Sequence, residues 1–224
     1  MEQITLLYLP GDGYTETNSA PFLNFLSQNG INPIYIPLIE EDSNVSYNDL
    51  STENYVKYIS SFIPKSTPNI YAYGISKGSH WARVFAAKKP GIIKKLILVE
   101  ETTMTPELMV KYEQSRGNDY VEEFYDNPNE IPGLDNTEKA LDVIVSDKQK
   151  YCPKYIPIEV VFTSRNNMNQ PYTSDVIMLK NKYVNYLKRN GCRVRVHKFD
   201  SQHCIDLEPK FFPQLLEIIK NEKK

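Results

Sequence analysis

The segment Gly74–Gly78 places a single serine, Ser76, between two glycines that each lie two residues away. An apolar run typical of a strand, Asn69–Tyr73, precedes it, and a segment with helical composition, Gly78–Lys89, follows it. Glycines at these two positions permit a strand-to-helix turn too tight for larger residues, with the serine strained at its apex and its Oγ exposed. The pattern therefore predicts a nucleophilic serine, whereas the alternative is a chance Gly/Ser turn.

Short apolar runs alternate with helical segments along most of the chain. The predicted strands are Ile4–Leu9, Asn32–Ile36, Asn69–Tyr73, Lys95–Val99, Ile158–Thr163 and Arg193–Phe199. The predicted helices are Pro21–Asn29, a segment after Ser51, Gly78–Lys89, Ser174–Asn190 and Pro209–Lys220. This alternation predicts an α/β fold with a parallel sheet covered on both faces. A length of 224 residues suits one large domain or two small ones. We expect a single domain, residues 1–224, with the polar, tyrosine-rich residues 102–155 as an insertion within it.

Composition argues against several classes of function. A formal net charge of −2 gives no electrostatic basis for binding nucleic acid. The first residues carry no basic leader, and their apolar run is too short for a signal peptide or a membrane span. Cys152, Cys192 and Cys204 are odd in number and widely spaced, which predicts neither a disulfide framework nor a zinc site. We therefore expect a cytoplasmic protein with no metal, no nucleic-acid partner and no membrane span.

These features together resemble the α/β-hydrolase superfamily, in a short form that lacks the family's first two strands. The resemblance covers nearly the whole chain in the order of its elements. It depends on the serine motif, on the glycine-containing loop Pro10–Gly13 after the first strand, and on a histidine after the last strand. It implies a mostly parallel six-stranded sheet flanked by helices, a small helical lid at residues 102–155, and a serine esterase or lipase that needs no cofactor.

The resemblance also implies positions for the oxyanion hole and the general base. The oxyanion donors would be the backbone amides of Lys77 and Asp12, although many relatives have His-Gly where this sequence has Pro10-Gly11. Among the three histidines, His203 follows the last strand, where the fold presents its catalytic histidine. His80 lies inside the helix after the serine and His197 lies within a strand, so packing or sheet-face roles are expected for both.

The third member of a Ser-His-acid triad is less well defined by the sequence. Most relatives carry an aspartate after the strand that corresponds to Ile158–Thr163, but Asn166 occupies that place here. Asp175 comes later, in a first helical turn where capping explains it. Some relatives place the acid after the preceding strand instead, which makes Glu100 the preferred candidate. Asn166 is a weaker substitute, because a neutral amide stabilises an imidazolium less than a carboxylate does.

These assignments predict an enzyme that hydrolyses a carboxylic ester, or alternatively a thioester or amide, through an acyl-enzyme on Ser76. The expected partner is a small-molecule ester, and the sequence leaves both the substrate and the oligomeric state open. The rival hypothesis is a catalytically silent hydrolase fold that binds a small molecule or a protein. Asn166 at the usual acid position is the main support for that rival.

Overall fold

Six parallel strands form one sheet in the computed structural model, which describes residues 3–39, 50–65, 67–101, 151–166 and 169–221. The strands are β1 (Ile4–Leu9), β2 (Ile31–Tyr35), β3 (Ile70–Ile75), β4 (Ile93–Val99), β5 (Pro157–Thr163) and β6 (Arg193–Phe199). Their order across the sheet is β2-β1-β3-β4-β5-β6, and each neighbouring pair runs parallel. All six carboxyl ends therefore meet at one edge, where α/β sheets bind their ligands.

The described residues contain five α-helices, which cover both faces of the sheet. They are α1 (Glu16–Gln28), α2 (Thr52–Ser61), α3 (Lys77–Lys88), α4 (Ser174–Arg189) and α5 (Phe212–Lys220). One apolar core unites α2, α3 and α4 with one face of the sheet, and a second core unites α1 and α5 with the other. Strand β1 supplies Leu7 and Leu9 to the first core and Leu6 and Tyr8 to the second, as alternation along a strand requires.

The sequence-based boundary of the first helix was wrong. Helix α1 begins at Glu16, not Pro21, because Thr15 caps it through a reciprocal pair of hydrogen bonds with Asn18. Ser19, which precedes the predicted start of the helix, is instead buried within it. The last helix was also predicted too long, since residues 209–211 form a separate 3₁₀ turn before α5.

The expectation of no disulfide is corrected as well. Cys152 and Cys192 are joined by a disulfide that ties the segment before β5 to the start of β6. Their separation of 40 residues hid the pair, because the sheet brings the amino ends of neighbouring strands together regardless of sequence distance. The cysteines therefore no longer support the expectation of a cytoplasmic protein.

Two further predictions concern the insertion and the membrane. Most of the proposed lid, residues 102–155, lies outside the described residues, which include only 151–155 of it. Within the described part of the chain, none of the helices combines the length and the apolar character needed to cross a bilayer.

Candidate active site

Ser76 occupies the strained turn between β3 and α3 that the glycine pattern predicted. Its backbone angles are φ 51° and ψ −119°, a conformation rare for a residue with a side chain. A Cβ at Gly74 would overlap the carbonyl of Gly78, and a Cβ at Gly78 would overlap the carbonyls of Leu9 and Pro10. Both glycines are therefore required by close backbone approach, which explains their spacing around the serine.

Hydrogen bonds hold this turn against the neighbouring strand. The Ser76 amide donates to the Val99 carbonyl at 2.8 Å. The buried Ser79 hydroxyl donates to the same carbonyl at 2.9 Å and accepts from the Val99 amide at 3.0 Å. The end of β4 thus fixes the turn, which places Ser76 at the carboxyl edge of the sheet.

The two residues expected to form the oxyanion hole lie close to this turn and contact each other. A Cβ on Gly11 would stand 3.1 Å from the Ser76 Cβ, so the loop after β1 passes directly beside the serine. The Lys77 ammonium donates to the Asp12 carboxylate, and the Lys77 side chain is 2% exposed. Lys77 is also the first residue of α3, where helix amides point outward from the amino terminus. No sequence pattern indicated the Lys77–Asp12 ion pair.

The structure brings His203 and Glu100 together. His203 lies in the loop after β6, and its Nδ1 is 3.4 Å from Glu100 Oε2. Glu100 directly follows β4, and its amide donates to the Val161 carbonyl at 2.9 Å. Its φ of 57° is uncommon for a residue other than glycine and occurs mainly where the surroundings impose it. Ser76, Glu100 and His203 therefore follow the carboxyl ends of β3, β4 and β6 at the same sheet edge.

Two side chains that the sequence analysis missed complete the surroundings of Glu100. The Tyr172 hydroxyl donates to Glu100 Oε2 at 3.0 Å and lies 3.0 Å from His203 Nδ1. The Lys180 ammonium donates to Glu100 Oε1 at 2.9 Å and to Oε2 at 2.7 Å, and the Thr163 amide also donates to Glu100 Oε1. A signal for Lys180 did exist, because it falls on the buried stripe of α4 between Val176 and Val184.

These contacts decide the charge of the buried Glu100 carboxyl, which is 1% exposed. Burial raises its pKa, but the contact with His203 and the charge of Lys180 outweigh burial and leave the pKa below its usual value. Burial also lowers the pKa of Lys180, and the charge of Glu100 opposes that effect. The site thus holds an ionised acid beside the histidine.

The other candidate residues are engaged elsewhere. The Asn166 side-chain oxygen accepts from the Gln170 amide at 2.9 Å, within the loop that follows β5. Asp175 is exposed in the first turn of α4. His197 contacts Glu159 at 2.7 Å on the sheet, and His80 is buried with its Nδ1 3.2 Å from the Arg83 guanidinium. Burial and Arg83 lower the pKa of His80 well below its usual value, which suits a neutral packing residue.

A second buried carboxyl, Asp206, lies three residues after His203 in the 3₁₀ turn Ile205–Leu207. The hydroxyls of Tyr8 and Tyr14 donate to it at 2.7 Å and 3.1 Å. Burial raises the pKa of Asp206 to about 6, although these hydroxyls and the nearby His203 oppose the effect. Because Tyr14 follows the loop beside Ser76, Asp206 links that loop to the segment that carries His203.

No family model matches this chain, and no curated protein matches it in sequence. Solved structures do match over nearly its whole length. The thioesterase domain from the curacin biosynthetic pathway aligns with a TM-score of 0.68 and 13% identity, covering 98% of this chain and 92% of that one. An alpha/beta hydrolase enzyme from the metagenome of sediments of the lagoon of Mar Chica, Morocco, aligns with a TM-score of 0.64 and 16% identity, covering 97% and 90%. A lipase-esterase related protein from Clostridium acetobutylicum aligns with a TM-score of 0.62 and 19% identity, covering 97% and 93%.

These likenesses confirm the predicted fold. The chain has the α/β-hydrolase fold, with a parallel six-stranded sheet between helices. At identities of 13% to 19% the likeness extends to the fold alone.

Proposed function

We propose that this protein is a serine hydrolase that cleaves a carboxylic ester through an acyl-enzyme, with Ser76, His203 and Glu100 as its triad. The observation that carries the proposal is the strained Ser76 at the sheet edge where the paired His203 and Glu100 also lie. A residue that only ended a strand would have no need of this backbone conformation. Strain at a serine held between two glycines suits a nucleophile whose Oγ must face the substrate.

The chemical steps follow the roles of such a triad. Ser76 Oγ bonds to the substrate carbonyl carbon while its proton passes to His203 Nε2, and the carbonyl π electrons move to oxygen. The backbone amides of Lys77 and Asp12 would stabilise that oxyanion. The oxyanion electrons then re-form the carbonyl, the bond to the alcohol oxygen breaks, and His203 gives its proton to the departing alcohol. Water next attacks the acyl carbon while His203 takes its proton. The bond from the acyl carbon to Oγ then breaks, Ser76 regains the proton from His203, and the acid leaves. Residues 102–155 would act as a lid that selects the acyl or alcohol group.

The rival hypothesis of a silent, ligand-binding fold loses its main support. It rested on Asn166 at the position where relatives carry the acid. The contact of Glu100 with His203 gives the histidine a carboxylate from another strand, so Asn166 no longer argues for inactivity. A cytoplasmic location remains part of the proposal and does not follow from the site.

The test combines a fluorophosphonate probe with p-nitrophenyl esters of increasing acyl length, an acyl thioester and an anilide. We predict that the wild-type protein is labelled and turns over at least one ester, and that Ser76→Ala abolishes both activities. The expected loss in kcat is about 10⁴- to 10⁶-fold, as for other triad nucleophiles. Ser60→Ala, on helix α2 away from the site, is the matched control. Absence of probe labelling in the wild-type protein would refute the proposal, and preference for the thioester would shift the substrate class.

A further inference from the structure

The tyrosine hydroxyl beside His203 lies between the histidine and its acid. Tyr172 Oη is 3.0 Å from His203 Nδ1 and 3.0 Å from Glu100 Oε2, whereas Nδ1 and Oε2 are 3.4 Å apart. A hydrogen bond from N–H to oxygen is normally 2.7–3.2 Å long, so the closer partner of His203 is Tyr172. The contact from histidine to acid therefore passes in large part through this hydroxyl.

The single proton of that hydroxyl determines the tautomer of His203. An ionised carboxylate can only accept, so Tyr172 must donate its proton to Glu100. The Tyr172 oxygen then accepts from His203, which requires the neutral imidazole to carry its proton on Nδ1. Nε2 is consequently left with its lone pair, the form that can accept the Ser76 proton.

This arrangement holds only while Glu100 stays ionised, and Lys180 is positioned to keep it so. The ammonium has three protons, and three acceptors surround it: both Glu100 oxygens and the Thr163 carbonyl at 3.0 Å. It also lies 3.7 Å from the centre of the Tyr172 ring, so the same cation contacts both Glu100 and Tyr172. Among the described residues, the titratable side chains that face Glu100 are Lys180 on α4, Tyr172 in the β5–α4 loop and His203 after β6.

The loop after β5 is folded so that it delivers Tyr172 to this place. The Asn166 amide donates to the Gln170 carbonyl at 2.9 Å, and the Tyr172 amide donates to the Ser164 carbonyl at 3.0 Å. These bonds return the loop to the end of β5, beside Glu100. In this chain, the loop where relatives carry their acid instead supplies a tyrosine.

We propose that Tyr172 and Lys180 are positioning residues of the catalytic triad: Tyr172 transmits the orientation of Glu100 to His203, and Lys180 maintains Glu100 as a carboxylate. This inference rests on the proposed function. No proton passes from His203 to Tyr172 or Glu100 during the reaction, since Nδ1 and the Tyr172 hydroxyl keep their protons throughout. The two residues act on His203 without contacting the substrate.

The first test concerns Tyr172. We expect Tyr172→Phe to lower kcat about 10- to 100-fold with little change in KM, by comparison with partners that orient metal-binding histidines. Nitrogen-15 NMR of the three histidines gives a readout that does not depend on turnover. His203 should be the Nδ1-protonated tautomer in the wild-type protein and a mixture in Tyr172→Phe. An unchanged tautomer together with unchanged kcat would overturn the role of Tyr172.

The second test concerns Lys180 and uses the pH dependence of kcat/KM. Without the lysine charge, burial should raise the pKa of Glu100, so Lys180→Met should move the acid limb to higher pH by about one unit or more. Lys180→Met should therefore be less active than the wild-type protein at pH 7 and should recover part of that activity as the pH is raised. Lys180→Arg retains the charge and should leave the limb within about 0.3 units, and the exposed Lys182→Met on the same helix should leave it unchanged.

The outcomes separate the two proposals. A wild-type protein that neither turns over esters nor reacts with the fluorophosphonate refutes the proposed function, and the inference falls with it. An active wild-type protein whose acid limb is the same in Lys180→Met and Lys180→Arg refutes only the role of Lys180. If Lys180→Met does not fold, Lys180→Arg decides the question. A shift of its acid limb by about one unit or more, despite the retained charge, would count against the charge of Lys180 as the determinant.

Discussion

Two buried carboxyl groups near His203, Glu100 and Asp206, have pKa values moved in opposite directions. Burial raises the pKa of both. For Glu100, the effect of burial on the pKa is offset by the Lys180 ammonium, the Thr163 amide and the contact with His203. Asp206, in contrast, accepts hydrogen bonds from two neutral tyrosine hydroxyls. Burial alone therefore does not decide the charge of a carboxyl group; the charge of its partners does.

In the proposed mechanism, the two carboxyl groups have different roles. A carboxylate that must stabilise a transient imidazolium needs to be ionised at the working pH, and a cation beside it meets that need. Asp206 connects β1 and the loop beside Ser76 to the His203 segment through Tyr8 and Tyr14. Hydrogen bonding of this kind is compatible with either charge state of the carboxyl, so Asp206 suits a structural role.

Among the variants that separate the two carboxyl groups, the largest effect should come from neutralising Glu100. We expect Glu100→Gln to lower kcat by about 10²- to 10⁴-fold, because an amide cannot stabilise the imidazolium and presents a donor to Lys180. Steady-state kinetics with a p-nitrophenyl ester would measure the loss, with the exposed Glu217→Gln as control. Glu101 is unsuitable as a control, because its buried carboxylate pairs with Arg83 at 2.8 Å. Wild-type kcat in Glu100→Gln would exclude Glu100 as the triad acid.

A smaller effect, on stability, should distinguish the two carboxyls by sign. The folded pKa of Asp206 is about 6 against a usual 3.8, so the folded state binds the proton more tightly than the unfolded state. Relative to Asp206→Asn, the wild-type protein should lose stability as the pH rises from about 4 to about 6, by at most about 3 kcal/mol. Urea denaturation of both proteins at several pH values would measure this difference.

The matching comparison for Glu100 should run the other way. Because its folded pKa lies below the usual value, its contribution to stability is present at neutral pH and is lost as the pH falls through the folded pKa. Relative to Glu100→Gln, the wild-type protein should therefore gain stability between acidic and neutral pH. If stability relative to the amide variant changed with pH in the same direction for both carboxyl groups, the contrast between their surroundings would be refuted.

The sequence predicted the parts of this site that depend on local backbone geometry. The glycine pattern located Ser76, and alternating strands and helices located the edge where Glu100 and His203 lie. Tyr172 could not be found in this way, because its position depends on backbone hydrogen bonds from residue 172 to 164 and from 166 to 170. The sequence did not predict the Cys152–Cys192 disulfide or the Lys77–Asp12 pair for a related reason. Each joins segments that only the assembled sheet brings together.

The smallest effect should come from Asn166→Asp, which places a carboxylate in the loop after β5. Asn166→Asp keeps the oxygen that accepts from the Gln170 amide, and the position is only partly buried. We therefore expect a change in stability within about 0.5 kcal/mol. Turnover should stay within about twofold of wild type, because His203 already has its carboxylate.

The double variant Glu100→Gln/Asn166→Asp turns this into a test of the whole comparison. If position 166 has no access to His203, the added carboxylate cannot replace Glu100, and the double variant should be as inactive as Glu100→Gln alone. Recovery of kcat by tenfold or more would show that a carboxylate at position 166 can orient His203. The loop after β5 would then be able to hold the triad acid itself. Glu100 with Tyr172 would be one of two arrangements that can orient His203 in this fold.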